Sequence, residues 1–226
     1  MPLSAKIKSE PKQKPKQSGW RGSEELWLDA AYDLLVESGV DSVKVMPLAK
    51  ALNLSRTSFY WHFTDRDALL EALITRWERQ NTGQLVAQTE RYAQTVNEAV
   101  LNLFDCWINP RLFDARLDFA IRNWAQQSPA LKTIMEQTDQ RRISAIEQMF
   151  SRFGFTPQQS ETRARTAYYT QVGYISMMVI EPMAERLRRI PDYVESLTAD
   201  YPTDAEIARF MARHQTPDPR PNREKS

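Results

Sequence analysis

The chain has 226 residues, 42% hydrophobic and 26% charged, with 30 basic against 29 acidic side chains, the composition of a globular protein of one large domain or two small ones. No stretch approaches the roughly 18 apolar residues of a membrane span, and the first residues lack the apolar core of a signal peptide, so a cytoplasmic protein without a membrane partner is expected. The single Cys106 excludes a disulfide framework, the distant His62 and His214 offer no zinc site, and no glycine falls in a GxGxxG, GxxxxGK[ST] or GxSxG pattern; no metal, cofactor or catalytic residue is predicted.

Residues 1–22 are rich in Pro, Lys, Gln and Ser and carry Lys6, Lys8, Lys12, Lys14, Lys16 and Arg21 against Glu10 alone, which predicts a disordered basic arm. Residues 23–81 have an excess of carboxylates, yet the window 43–63 holds Lys44, Lys50 and Arg56 and no acid. Such an uncompensated window can neutralise phosphates. From Ser23 onward the periodicity is helical and no alternating run of strand length occurs, so the predicted fold is all-α. Ser23 caps a first helix, favoured by Glu24 and Glu25 in its first turn, with Trp27, Ala31, Leu34 and Leu35 on one stripe and Gly39 as its stop. A short helix from Pro47 to Leu52 follows, then a turn at Asn53, then a helix Arg56 to Phe63 capped by Ser55. Thr64 with Asp67 reads as a capping box opening a longer helix with Leu69, Leu70, Leu73, Ile74 and Trp77 on its apolar face.

Beyond residue 82 the helices lengthen. Prolines and glycines divide them near 93–109, 112–127, 129–153, 157–180 and 203–213, with Pro182, Pro191 and Pro202 taken as breaks and residues 215–226 as a flexible tail. The large side chains of residues 93–181 exceed what a simple bundle needs and point to a cavity for an apolar or aromatic effector, with Trp107, Phe119, Arg122, Asn123, Trp124, Tyr168 and Met178 as its candidate lining. Cys106 reads as a small buried apolar group. The helix 157–180 is apolar on two faces, and the second face, with Tyr169, Gly173, Ser176, Met177 and Ile180, predicts a homodimer interface. Residues 23–81 and 82–214 are thus read as two functional units.

The two short helices across Asn53 have helix-turn-helix shape, with small Ala49 at the close approach, Leu48 and Leu52 facing inward, and Leu54 and Phe59 closing the corner. A tryptophan beside Tyr60 on so short a helix cannot all be buried, so Trp61 is a candidate contact residue. The run Leu54-Ser55-Arg56-Thr57-Ser58-Phe59-Tyr60-Trp61-His62-Phe63, followed by Asp67-Ala68-Leu69-Leu70, resembles the DNA-binding domain of the TetR family of bacterial transcriptional regulators over about residues 24–75. The resemblance implies a three-helix DNA-binding domain, a larger helical domain for ligand binding and dimerisation, and a homodimeric repressor released from a palindromic double-stranded operator by a small ligand; it implies no enzyme. Carried over by position, Arg56, Thr57 and Ser58 face the major groove, Tyr60, Trp61 and His62 lie near phosphates or base methyls, and Lys44 and Lys50 approach the backbone. Arg66 stands where the family usually has Lys, and is expected at the DNA with its charge kept and its geometry changed. A Thr often found at the position of Lys44 and an Arg often found near Glu24 are missing, and Arg21 or the arm is expected to supply that contact. The acidic balance of 23–81 leaves a second class open, a helical ligand-binding adaptor without DNA affinity.

Overall fold

The computed structural model describes residues 22–214; the predicted arm before Gly22, Arg21 included, and the tail 215–226 lie outside the described residues. Among the described residues every regular element is helical, and no helix is long and apolar enough to cross a membrane. In chain order the helices are α1 (Glu24–Ser38), α2 (Val45–Ala51), α3 (Arg56–Phe59), α4 (Arg66–Trp77), α5 (Gly83–Glu90), α6 (Val96–Ile108), α7 (Ala115–Ala125), α8 (Pro129–Arg152), α9 (Pro157–Ser176), α10 (Met183–Thr198) and α11 (Asp204–His214).

The capping chemistry accounts for most starts. The side chains of Ser23, Ser55, Thr95, Asp114 and Ser128 each accept a backbone N–H three residues on, and Thr156 with Gln159 forms a full capping box ahead of Pro157. At the start of α4 the cap is Asp65, which accepts from the Ala68 amide at 2.8 Å, and not the predicted Thr64. A carboxylate at the cap also meets the positive end of the helix dipole.

Two apolar cores result. One gathers α1, α2, α3 and α4 around Trp27, Leu48, Phe59, Leu69 and Trp77 and takes in Leu117, Ile121 and Ala125 of α7 with Leu131 and Met135 of α8. The other joins α5, α6, α8, α9, α10 and α11 around Leu103, Cys106, Ile146, Phe150, Val194 and Phe210. Each fully buried side chain of this size contributes about 1.5–3 kcal/mol. The predicted unit boundary at 81/82 falls inside a continuous helical rod, because α4 passes through a π-helical turn, Glu78–Thr82, directly into α5. That wider turn buries the polar Asn81 and Thr82.

Their partners are the reason. Asn81 donates to the Asp114 carbonyl at 3.0 Å and accepts from the Asp114 amide at 2.9 Å, clamping the start of α7. Thr82 accepts from Arg142 Nε at 2.9 Å. Arg142 and Asp118, both fully buried, pair at 2.9 Å, and Asp118 also accepts from Trp77 Nε1 and from Arg122 Nε, each at 2.8 Å. Arg122 in turn grips Asp139 with two bonds of 2.9 and 2.7 Å, and Tyr168 donates to Asp139 at 2.6 Å. One network therefore ties α4, α7, α8 and α9 across the junction of the two cores.

Two helical expectations are corrected. The helix opened by Pro157 ends at Ser176, four residues before the predicted 180, because Met178 turns left-handed (φ +51°) and its N–H closes on Ile175. And α10 runs through Pro191, read from sequence as a break. Burial of Ile190, Pro191, Val194 and Leu197 against the core outweighs a cost of about 3 kcal/mol for an interior proline.

Burial pushes the Asp118 carboxyl up, but Arg142 and Arg122 outweigh it and hold the pKa at about 2. A depressed carboxylate stabilises the fold above its unfolded value of 3.8, and that contribution is lost as pH falls toward about 2. Accordingly, Asp118→Asn is expected to lose about 3–5 kcal/mol in urea unfolding at pH 7, by leaving Arg142 buried and uncompensated. Its unfolding free energy should also fall less steeply than wild type between pH 4 and 2.

Candidate functional site

The helix-turn-helix is built from α2, the turn 52–55 and α3. Leu48 and Ala49 of α2 and Phe59 of α3 are buried, and Phe59 meets Trp27 of α1 edge-on with ring centres 5.4 Å apart. Asn53 takes the left-handed conformation (φ +51°) that the corner needs, and the Leu54 amide closes on the Ala49 carbonyl at 2.9 Å. A helical turn continues past α3, with the His62 and Phe63 amides both on the Phe59 carbonyl, so the predicted span to Phe63 is one short α-helix extended by turns.

The outer side of this unit is cationic and aromatic. Lys44, Lys50, Arg56 and Thr57 are exposed, and none of the three cations forms an ion pair among the described residues. Tyr60 and Trp61 are 50% and 61% exposed, an unusual state for large aromatic groups on a rigid element. Met46 and Pro47 at the start of α2 are exposed as well, a contribution the sequence reading passed over. Since Phe59 and Phe63 anchor the inward side, the outward side chains are held in a fixed register.

Three residues expected at the DNA have other partners. Ser58 is buried, with its hydroxyl 2.9 Å from that of Ser55 and its amide on the Ser55 hydroxyl, so it belongs to the cap of α3 and not to the outer face. His62 donates through Nε2 to the Gly22 carbonyl at 3.1 Å. It thereby fixes the point where the chain enters α1. Gly22 fits there because its φ is +73° and a Cβ would come within 2.9 Å of Leu54. Arg66 donates to the carbonyls of Val43 at 2.6 Å and Val40 at 2.8 Å, so its guanidinium joins α4 to the segment leading into α2.

The family model for bacterial regulatory proteins of the tetR family matches residues 28–73, the segment that forms this unit. Over this segment the chain is similar to the tetR family. Class A tetracycline repressor of Escherichia coli is 48% identical to this chain over 44 residues, 20% of each chain. An HTH-type transcriptional repressor of Mycobacterium tuberculosis is 34% identical over 113 residues, 46% of this chain and 57% of the relative. The aligned parts thus span less than two thirds of either relative. GusR of Salmonella enterica superposes over 88% of this chain and 98% of its own with a TM-score of 0.58 at 16% identity, a likeness of fold.

In the C-terminal helices, the residues expected to line an effector cavity are dispersed. Trp107 lines a cavity of about 150 Å³ between α6, α9 and α10. Phe119 and Met178 line a separate groove that Trp107 also reaches, and Phe119, Asn123 and Trp124 line a third, against the end of α1. Arg122 and Tyr168 line none of these and belong to the Asp118 network, where Arg122 and Arg142 donate to the Tyr168 hydroxyl at 2.9 and 3.2 Å. Burial pushes the Tyr168 hydroxyl well above the usual phenol range and the Cys106 thiol up to about 12, so neither ionises near neutrality. Of the five residues proposed for the dimer, Met177 and Ile180 are 76% and 97% exposed, Tyr169 and Ser176 are exposed, and Gly173 is half-buried. Met178 and Val179 extend the same apolar run.

Arg66→Lys is expected to lower stability by about 1 kcal/mol in thermal unfolding, because an ammonium cannot reproduce the two-carbonyl fork. The fold of α1 to α4, followed by circular dichroism, should remain.

Proposed function

We propose that this protein is a homodimeric transcriptional repressor that binds a near-palindromic operator through α3 and is released by a small ligand held among the C-terminal helices. The observation that carries the reading is the outer face of the helix-turn-helix, where three cations without an ion pair among the described residues and two exposed aromatic rings stand on a scaffold anchored by Phe59 and Phe63. Arg56 and Thr57 begin the recognition helix and would read base edges, while Lys44 and Lys50 would neutralise phosphates. Tyr60 and Trp61 would contact sugars, phosphates or base methyls. His62 and Arg66 serve this face indirectly, by fixing the entry to α1 and the approach to α2.

The exposed apolar run Met177 to Ile180 with Tyr169 supports dimerisation about a two-fold axis, since a closed isologous contact is the simplest cover for it. Two recognition helices about 34–36 Å apart would then meet successive major grooves. Repression is favoured over activation by the two relatives, each named a repressor. For release, α9 offers a mechanical route, because Tyr168 sits in the Asp118 network while Thr170, Gln171 and Tyr174 on the same helix line the α6/α9/α10 cavity. A ligand that shifts α9 would be felt at α4 and α7. A coupling of about 1–3 kcal/mol is typical of such systems.

Selection from a random duplex pool should enrich a palindrome, and failure to enrich any sequence with folded, dimeric protein would favour the adaptor reading. On the selected duplex, Arg56→Ala and Trp61→Ala should each weaken binding by about 1–3 kcal/mol without loss of helicity, and Lys44→Ala should lower the slope of log affinity against log salt by about 1. Ile180→Glu should shift sedimentation toward monomer and reduce operator affinity together.

A further inference from the structure

The cavity between α6, α9 and α10 has a volume of about 150 Å³, that of an apolar cavity able to take up one benzene ring. Phe104, Trp107, Ile108, Tyr174, Ile190 and Leu197 give it largely apolar and aromatic walls. Glu181, Arg186 and Arg189 also line it, and their charges do not cancel. Arg189 pairs with Glu181, which also accepts from the Tyr174 hydroxyl. Arg186 forms no ion pair among the described residues; it donates to the Trp107 carbonyl at 3.3 Å and lies 4.9 Å from the Tyr174 ring centre. The cavity therefore has one cation in excess.

A second observation is independent of the charge. Trp107 is 7% exposed, and its Nε1 is buried without a hydrogen-bond partner among the described residues. Arg189 Nε is in the same condition. Buried donors are costly to leave unpaired, and both of these belong to residues that line the cavity.

We propose that this cavity binds a small monocyclic carboxylate, its ring against the apolar walls and its carboxylate neutralising the surplus charge of Arg186 and accepting from Trp107 Nε1 once the indole turns toward it. The proposal rests on the reading of the C-terminal helices as the effector domain. An amine would add to the excess positive charge, a neutral ring would leave that charge unmet, and a fused polycyclic ligand would exceed the volume.

The full-length protein is titrated calorimetrically with benzoate, and with benzyl alcohol and benzylamine as neutral and cationic counterparts; thermal melting is followed in parallel. Benzoate is expected to bind saturably, to raise the melting temperature, and to bind at least about tenfold tighter than either counterpart. Trp107→Phe keeps the ring and removes the N–H, and should weaken benzoate about tenfold and benzyl alcohol by clearly less, since a neutral hydroxyl accepts more weakly than a carboxylate. Arg186→Gln carries the same expectation should the first variant fail to fold. Equal binding of the three probes, tighter binding of the amine, no binding of benzoate at millimolar concentration, or benzoate binding indifferent to both variants would overturn the proposal. Operator binding by the same preparation separates the two readings. Selected DNA bound without carboxylate binding removes only the ligand class; benzoate bound at this site without DNA binding removes the regulator and leaves the site.

Discussion

The ion pair of Asp118 with Arg142 lies where the two apolar cores meet, and both side chains are fully buried. Two charges in such a place are tolerable only if each is compensated and hydrogen-bonded, because desolvation of an isolated ion costs several kcal/mol. Trp77, Arg122 and Thr82 meet most of that demand, and the Arg142 guanidinium also faces the rings of Trp77 and Phe113, 4.9 and 5.2 Å away. The geometry of the surrounding helices follows from this requirement. The π-helical turn after α4 lets Asn81 and Thr82 face inward, Asn81 holds the start of α7, and Tyr168 brings in α9. A network of this kind resists small adjustments, since displacing one member leaves others unpaired.

That rigidity bears on the DNA-binding unit. Trp77 belongs to the core shared with α1 and α3, so the network that orders the C-terminal helices also sets the position of the scaffold beneath α3. Arg66 and His62 act more locally, tying α4 to the approach of α2 and α1 to the turn after α3. Lys44, Lys50, Arg56 and Thr57 are exposed, and the three cations form no ion pair among the described residues.

The C-terminal half offers two apolar features of different character. The cavity beside Trp107 is enclosed by three helices and edged by charges, as a small-molecule site requires. The run from Met177 to Ile180 stands outside the bundle, after α9 has ended in a left-handed turn, and presents its side chains to whatever covers them. Helix α9 connects both to the buried network, so ligand, partner subunit and DNA-binding unit would share one element.

Local information sufficed for much of this. The capping residues Ser23, Ser55 and Thr156, the stop at Gly39, the turn at Asn53 and the stripe of Trp27, Ala31 and Leu35 are decided by neighbours within a few residues, and the sequence by itself determined the all-helical class, the helix-turn-helix and its inward Phe59. It also carried the uncompensated cations of residues 43–63. What only the tertiary structure decided involves partners far apart in the chain. Arg66 and Ser58 looked like DNA contacts until Val40, Val43 and Ser55 were seen beside them, and Arg122 and Tyr168 looked like cavity residues until Asp139 and Asp118 met them. The continuation of α10 through Pro191 was hidden for the same reason, because the core that outweighs the proline's penalty is assembled with α6 and α9. Helix starts and stripes are set by short-range bonding and periodicity, whereas the fate of a charged or polar side chain is set by the group it meets in space.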